Sequence, residues 1–306
     1  MMLDSCILEI VEAENSDRIL KMKKNEDSNF QEYFTQYATE WTTSAHNGTY
    51  GYYPLANKRK EKAIALIEEF SDNRGNAVDF GSGPGLFAQS LSEIGFNVTG
   101  IDFSPAMVEH AIQNSAMNPK VSFIHSDWMS FSKDVDANSL DLVSALGFIY
   151  YLEDISVFAS EMFRVLRPGG HFVVSFRNAG FNRSLDLFEE QLTHFSLQEE
   201  TSRRLFLESL IFGMSNGIPE VDGLKNMPQL TLPKHLETDV SDLFATVGLK
   251  KVKSVGLHPH LLHPGLNNDE MVGLGDILSL PLDAVPDAPL KWFSHFVTIF
   301  EKSPNS

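Results

Sequence analysis

Between Asn76 and Phe176 the hydrophobic positions fall into short continuous runs separated by stretches of helical spacing. "AVDF", "NVTGID", "VSFIHSD", "SLDLVSALG" and "GHFVVSF" read as strands. "GLFAQSLSEIG", "SPAMVEHAIQNS" and "DISVFASEMFRVL" place apolar residues every three or four positions and read as helices. Strands that are apolar along their length and alternate with helices predict a parallel sheet covered on both faces. Right-handed crossovers then give a doubly wound α/β fold. Upstream, Phe30, Tyr33, Phe34, Tyr37 and Trp41 keep helical spacing until "HNGTYGYYP" breaks it, and a second helix runs from about Ala56 to Phe70. The alternation stops near Asn178. Amphipathic helical segments and a Gly/Pro/Asn-rich loop follow to about Pro233. The rhythm returns with "TDVSDLFATVG", "LKKVKSVGLH" and "KWFSHFVTIFEKS", which bring the sheet to seven mostly parallel strands. The expected division is an aromatic helical cap (1–55), an α/β core (56–177), a helical lid insertion (178–236) and a C-terminal completion of the core with a His/Pro-rich loop (237–306).

Composition narrows the partners. With 24 Lys and Arg against 41 Asp and Glu, the chain of 306 residues carries a net charge of −17. That balance argues against a nucleic-acid partner, whose phosphates need clustered cations. A single cysteine, Cys6, excludes an intrachain disulfide and a Cys-based zinc site. The opening "MMLDSCILEIVEAENSDRIL" is acidic where a secretory signal would be basic, and no apolar stretch approaches a bilayer's thickness. A cytoplasmic protein without a membrane partner is expected. The oligomeric state is not legible.

The chemistry concentrates in "VDFGSGPG". Gly81, Gly83 and Gly85 directly follow the first strand, where a doubly wound sheet binds its ligands. Glycines let a ligand approach the backbone, and the next helix offers free N–H groups to an anion. Asp102 ends the second strand, 21 residues after Gly81, positioned to accept hydrogen bonds from ribose hydroxyls. Together these features point to a nucleoside cofactor. The loop is G-x-G-x-G rather than the dinucleotide G-x-G-x-x-G.

The ordered series "VDFGSGPG", "VTGIDFSPAMVEHA", "HSDW", "LDLVSALGFIYYL" and "LRPGGHFVVSF" resembles the class I S-adenosylmethionine-dependent methyltransferases, across roughly Asn76 to Phe176. The resemblance implies a Rossmann-like methyltransferase fold with S-adenosyl-L-methionine as cofactor. It assigns Asp79, Gly81, Ser82, Gly83 and Gly85 to the methionine portion and Asp102 to the ribose. Phe103 and Met107 would flank the adenine, and Asp127 and Trp128 would contact its amino group and ring. Ala145, Leu146 and Gly147 would present backbone to the sulfonium centre. "LRPGG" would form the turn before the fifth strand.

Methyl transfer needs alignment above all, and an alcohol acceptor also needs a base. His258 and His260 in "GLHPHLLHPG" fall on one face if the strand persists, and with His263 they supply a base, hold the acceptor or simply pack in a loop turned by Pro259 and Pro264. No metal is expected, because the neighbouring carboxylates lack a ligand spacing. Tyr150 and Tyr151, after the fourth strand, are expected to line the acceptor pocket. Arg59 or Lys60 is a candidate to neutralise the methionine carboxylate. His171 is expected to begin the fifth strand, away from the site. The expectation is methyl transfer to a small-molecule acceptor, with a sugar or metabolite hydroxyl slightly favoured over an amine. A cofactor-binding protein without catalysis is the alternative.

Overall fold

A computed structural model describes residues 30–40, 42, 55–152, 154–180, 234–257, 293 and 295–304. Short helices α1 (Phe30–Gln36) and α2 (Ala38–Glu40) precede α3 (Leu55–Phe70). Strands β1 (Asn76–Phe80), β2 (Asn97–Asp102), β3 (Val121–His125), β4 (Leu140–Ala145) and β5 (Leu166–Arg177) follow in chain order. Between them lie α4 (Leu86–Glu93), α5 (Pro105–Asn114), α6 (Trp128–Lys133) and α7 (Ile155–Val165). The chain closes with α8 (Glu237–Thr246), β6 (Leu249–Leu257) and β7 (His295–Lys302).

The strands form one sheet in the order β3-β2-β1-β4-β5-β7-β6. All neighbours are parallel except β7, which runs antiparallel to both β5 and β6. The order reverses at β1, and β4 leaves on its other side. That switch point is where the carboxyl ends of two strands diverge and open a crevice.

Each face has its own core, which explains why the central strands lack polar alternation. On one face Phe80, Phe158, Phe172, Phe176, Phe244 and Phe300 pack beneath α7 and α8, with Phe244 and Phe300 ring centroids 4.9 Å apart. On the other, Ala77, Leu142, Val173 and Val297 meet Ala63, Leu66 and Ile67 of α3 and Ala88 and Leu91 of α4. Capping fixes the helix starts. Ser104 accepts the Met107 N–H ahead of Pro105, and Asp154 accepts the Ser156 N–H at 2.8 Å.

Three expectations shift. The aromatic helix is broken at Tyr37, and Trp41 lies outside the described residues. "RPGG" is not a turn before β5 but a bulge within it: Leu140 pairs with Leu166 and Leu142 with His171, so Arg167–Gly170 oppose Asp141 alone. His171 therefore sits inside the strand, buried between Leu142 and Glu301, and burial lowers its pKa. The helical lid expected over 178–236 falls almost wholly outside the described residues, apart from its two ends.

Candidate active site

The glycine loop is held by protein on two sides and open on the third. Gly81, Gly83 and Gly85 all have positive φ, at 68°, 50° and 81°. A side chain at Gly81 would strike Phe148, and one at Gly85 would strike Phe123. Gly83 faces open space. Two of the three glycines therefore make room for the protein's own aromatics, and Gly83 alone presents bare backbone to a ligand. The loop is folded back onto β2: Gly81 and Ser82 both donate their N–H groups to the Ile101 carbonyl, at 2.8 and 3.0 Å.

Asp102 ties the loop to the end of β2. Its Oδ2 accepts the Gly83 N–H at 2.8 Å and its Oδ1 accepts the Ser104 N–H at 2.9 Å. A carboxylate has about four acceptor positions, so each oxygen keeps one for a ribose hydroxyl. Burial raises the pKa of Asp102, and the two amides oppose the rise. Asp79, on the adjacent strand, accepts the Ser144 hydroxyl at 2.7 Å. Burial pushes its carboxyl up to about 7, the neighbouring Asp102 charge adding to the effect. Asp79 thus braces β1 against β4 directly beneath the loop.

On the β2 side, Phe103 is half-buried and Met107 buried beside it. The Phe103 carbonyl accepts Gln31 Nε2–H at 2.9 Å, and His125 Nε2 lies 3.1 Å from the same oxygen. The expected adenine contacts of the next loop look different in place. Asp127 caps α6, accepting the Ser130 N–H at 2.9 Å, and that hydroxyl and amide lower its pKa. Trp128 sets its ring edge-on against Phe158, 5.0 Å between centroids, so much of its indole belongs to the core.

On the β4 side, Ala145 is fully buried and Leu146 packs against the α3 face. Gly147 has φ 72° and donates its N–H to Ser175 Oγ at 2.8 Å. A side chain there would collide with Arg59 Nη1 and stand 3.2 Å from Tyr150 Oη. Arg59, from α3, therefore lays its guanidinium on the end of β4, and its buried Nε has no hydrogen-bond partner. Tyr150 is buried. Tyr151 meets Phe30 and Phe34 of α1 edge-on at 5.1 and 5.4 Å, and burial pushes its phenol well above the usual range.

Helix α1 spans the site. Its aromatics rest on Phe103 at the end of β2 and on Tyr151 after β4, the strands on either side of β1. None of its residues is buried. The helical spacing from Phe30 to Tyr37, read as an amphipathic face, sets aromatics against Phe103 and Tyr151.

His258, His260 and His263 lie outside the described residues. Among the described residues no group of His, Cys, Asp or Glu is arranged to hold a metal, and no helix is long and apolar enough to cross a membrane. Phe148, which shapes the loop, and Ser144 and Ser175, which hold Asp79 and Gly147, were not singled out by the sequence. Their signal is positional: Ser144 and Ser175 are the polar interruptions in otherwise apolar central strands.

Buried polar atoms without partners mark where a ligand fits. Ser82 Oγ and Arg59 Nε are such atoms at this crevice. With the open face of Gly83 and the free acceptor positions of Asp102, the donor set suits a ribose beside a carboxylate-bearing amino acid. Residues 78–174 match a family model described as a methyltransferase domain. A 2-methyl-6-phytyl-1,4-hydroquinone methyltransferase of Synechocystis is 30% identical over 156 residues, 48% of this chain and 48% of the relative. The chain thus spans about half the length of that relative. The fold matches magnesium protoporphyrin IX methyltransferase of Synechocystis, solved with S-adenosylhomocysteine bound, at TM-score 0.52 and 14% identity over 90% of this chain and 98% of that one. It also matches a phosphoethanolamine N-methyltransferase of Haemonchus contortus, at TM-score 0.52 and 15% identity over 91% of this chain and 61% of the other. Glycine loop, carboxylate and family match agree: residues 78–174 form a methyltransferase domain of the S-adenosylmethionine-dependent kind.

Proposed function

We propose that this protein transfers a methyl group from S-adenosylmethionine to the oxygen or nitrogen of a small-molecule acceptor. The observation that carries the reading is Asp102, which clamps Gly83 while keeping acceptor positions free, next to a loop whose one uncrowded glycine faces open space. The cofactor supplies an electrophilic methyl on a sulfonium, and the chain's task is alignment and exclusion of water. Asp102 would hold the ribose, with Phe103 and Met107 beside the adenine. Arg59 would balance the carboxylate of the methionine portion. The end of β4 at Gly147, beneath Arg59, would be where sulfonium and acceptor approach each other. Tyr150 and Tyr151 would donate hydrogen bonds at the acceptor side, and α1 would close the roof.

The acceptor class is supported by the net negative charge, which disfavours nucleic acid, and by relatives named for small molecules. The slight preference for a hydroxyl rests on the His258/His260 pair as base. Methyl-tritiated S-adenosylmethionine, incubated with the full chain and a panel of phenols, sugars and amines, tests the reading. Label transferred to any of these supports small-molecule methylation. Label transferred to added RNA or protein and to none of the panel overturns it.

A further inference from the structure

At the acceptor end of the sheet, the chain leaves β5 and comes back to almost the same point. Asn178 and His235 form a parallel bridge. His235 donates its N–H to the Arg177 carbonyl at 2.8 Å, and its own carbonyl accepts the Ala179 N–H at 2.9 Å. Asn178 pins the junction from the other side, donating from Nδ2 to the Phe293 carbonyl and accepting the Gly180 N–H.

The hydrogen-bond direction fixes where His235 stands. In a strand, the N–H and C=O of one residue point the same way. Arg177 is flanked on one side by His295 of β7, its antiparallel partner. Its carbonyl is committed to His235, so His235 lies on the opposite flank, the row that β4 occupies lower down. β4 turns out of that row at Gly147, after Ala145 pairs with Val174. His235 re-enters it opposite Asn178, four residues beyond Val174 or roughly 13 Å along the strand. Gly147 donates to Ser175 Oγ, so His235 stands three residues, roughly 10 Å, further along β5 than Gly147.

The side chain is built for recognition. His235 is buried, its ring edge-on to Phe176 at 5.7 Å, and its Nε2 has no hydrogen-bond partner. Burial lowers its pKa to about 4, with Asp239 pulling weakly the other way, so the imidazole is neutral at ordinary pH. A buried polar atom without a partner is costly, and an arriving ligand that pairs with it recovers that cost.

We propose that His235 is an acceptor-recognition residue, whose Nε2 makes a hydrogen bond to the hydroxyl or amine that is to be methylated. The inference rests on the methyltransferase reading and adds to it the residue that meets the acceptor across from Gly147. It does not require His258 or His260.

The test uses the full chain saturated with S-adenosylhomocysteine, labelled with ¹⁵N at histidine and titrated with phenol, methylhydroquinone and ethanolamine as probes. The His235 Nε2 signal is assigned by its loss in His235→Gln. At least one probe is expected to shift that signal. His235→Phe, which keeps an aromatic ring against Phe176, is expected to weaken that probe by about tenfold, and His235→Gln, which retains a hydrogen-bonding group near the Nε2 position, to recover most of the loss. Affinity for S-adenosylhomocysteine is expected to stay the same in both variants. If no probe moves the His235 nitrogen, or if His235→Phe binds the probes as wild type does, the proposal is overturned. If S-adenosylhomocysteine itself fails to bind, the cofactor reading falls first and this proposal with it.

Discussion

The two ends of the central sheet are built by opposite rules. At the amino end of the parallel strands, polar groups are mostly tied to one another, although Arg167 Nε meets Asp141 as an ion pair without hydrogen-bond geometry. Asp141 accepts the Asn76 N–H at 2.7 Å, pairs with Arg167 at 2.6 Å and fills the space left by Gly75. Nearby, Lys302 is buried yet donates to Asn138 Oδ1 and to the carbonyls of Phe163 and Leu166, all within 2.9 Å. At the carboxyl end, Ser82 Oγ, Arg59 Nε and His235 Nε2 are buried without partners, and Asp79 holds its proton up to about pH 7. Stability is concentrated where polar groups are matched, and binding capacity where they are left over. Changes at the carboxyl end should cost ligand affinity more than stability, and changes at the amino end the reverse.

The largest expected effect is Asp102→Ala. Removing the carboxylate frees the Gly83 and Ser104 amides and deletes the proposed ribose acceptor. Calorimetric affinity for S-adenosylhomocysteine should fall by about 100-fold or more, the scale of two charge-assisted hydrogen bonds. The glycine loop allows a sharper division within the same end. Gly85→Ala drives a methyl into Phe123 as well as straining φ, and should lower unfolding free energy by about 2–4 kcal/mol. Gly83→Ala meets no protein atom and should cost only the φ strain, about 1–2 kcal/mol, while still weakening the cofactor. Equal destabilisation by the two would erase the distinction between packing glycine and binding glycine.

At the other end, Lys302→Met leaves three acceptors without their donor and should destabilise by about 2–3 kcal/mol in urea titrations, with cofactor affinity unchanged. A pH-dependent effect concerns Asp79. Its folded pKa of about 7 lies above the usual 3.8, so the fold holds this proton more tightly than the unfolded chain does. That contribution is full below about pH 4 and is lost as pH rises towards 7. Asp79→Asn should remove this part of the slope, measured as unfolding free energy between pH 5 and 7.5. An unchanged slope would place the titration elsewhere.

The central strands and the glycine loop were largely legible in the sequence because their constraints are local. A strand buried on both faces reads as an apolar run, a left-handed turn reads as glycine, and Asp102 reads as a polar residue ending such a run. The direction of β7 is not legible, since "HFVTIFEK" has the same pattern in either direction and only its place between β5 and β6 decides. Nor is α6, six residues long and started by the Asp127 cap, which moves Trp128 towards Phe158. The roles of the glycines were only half readable: the sequence marks all three as special, but Phe148 and Phe123 account for two of them. His235 carries no pattern of its own. Its position depends on a bridge between residues separated by the whole insertion, which no local spacing records.

The most direct measurement is a calorimetric titration of the full chain with S-adenosylhomocysteine and, separately, with NAD. The account predicts micromolar binding of the first, none of the second, and loss of the first in Asp102→Ala with the fold intact by circular dichroism. Binding of NAD, or S-adenosylhomocysteine binding that survives the loss of Asp102, would contradict the claim that the carboxyl end of β1 and β2 is the cofactor's seat.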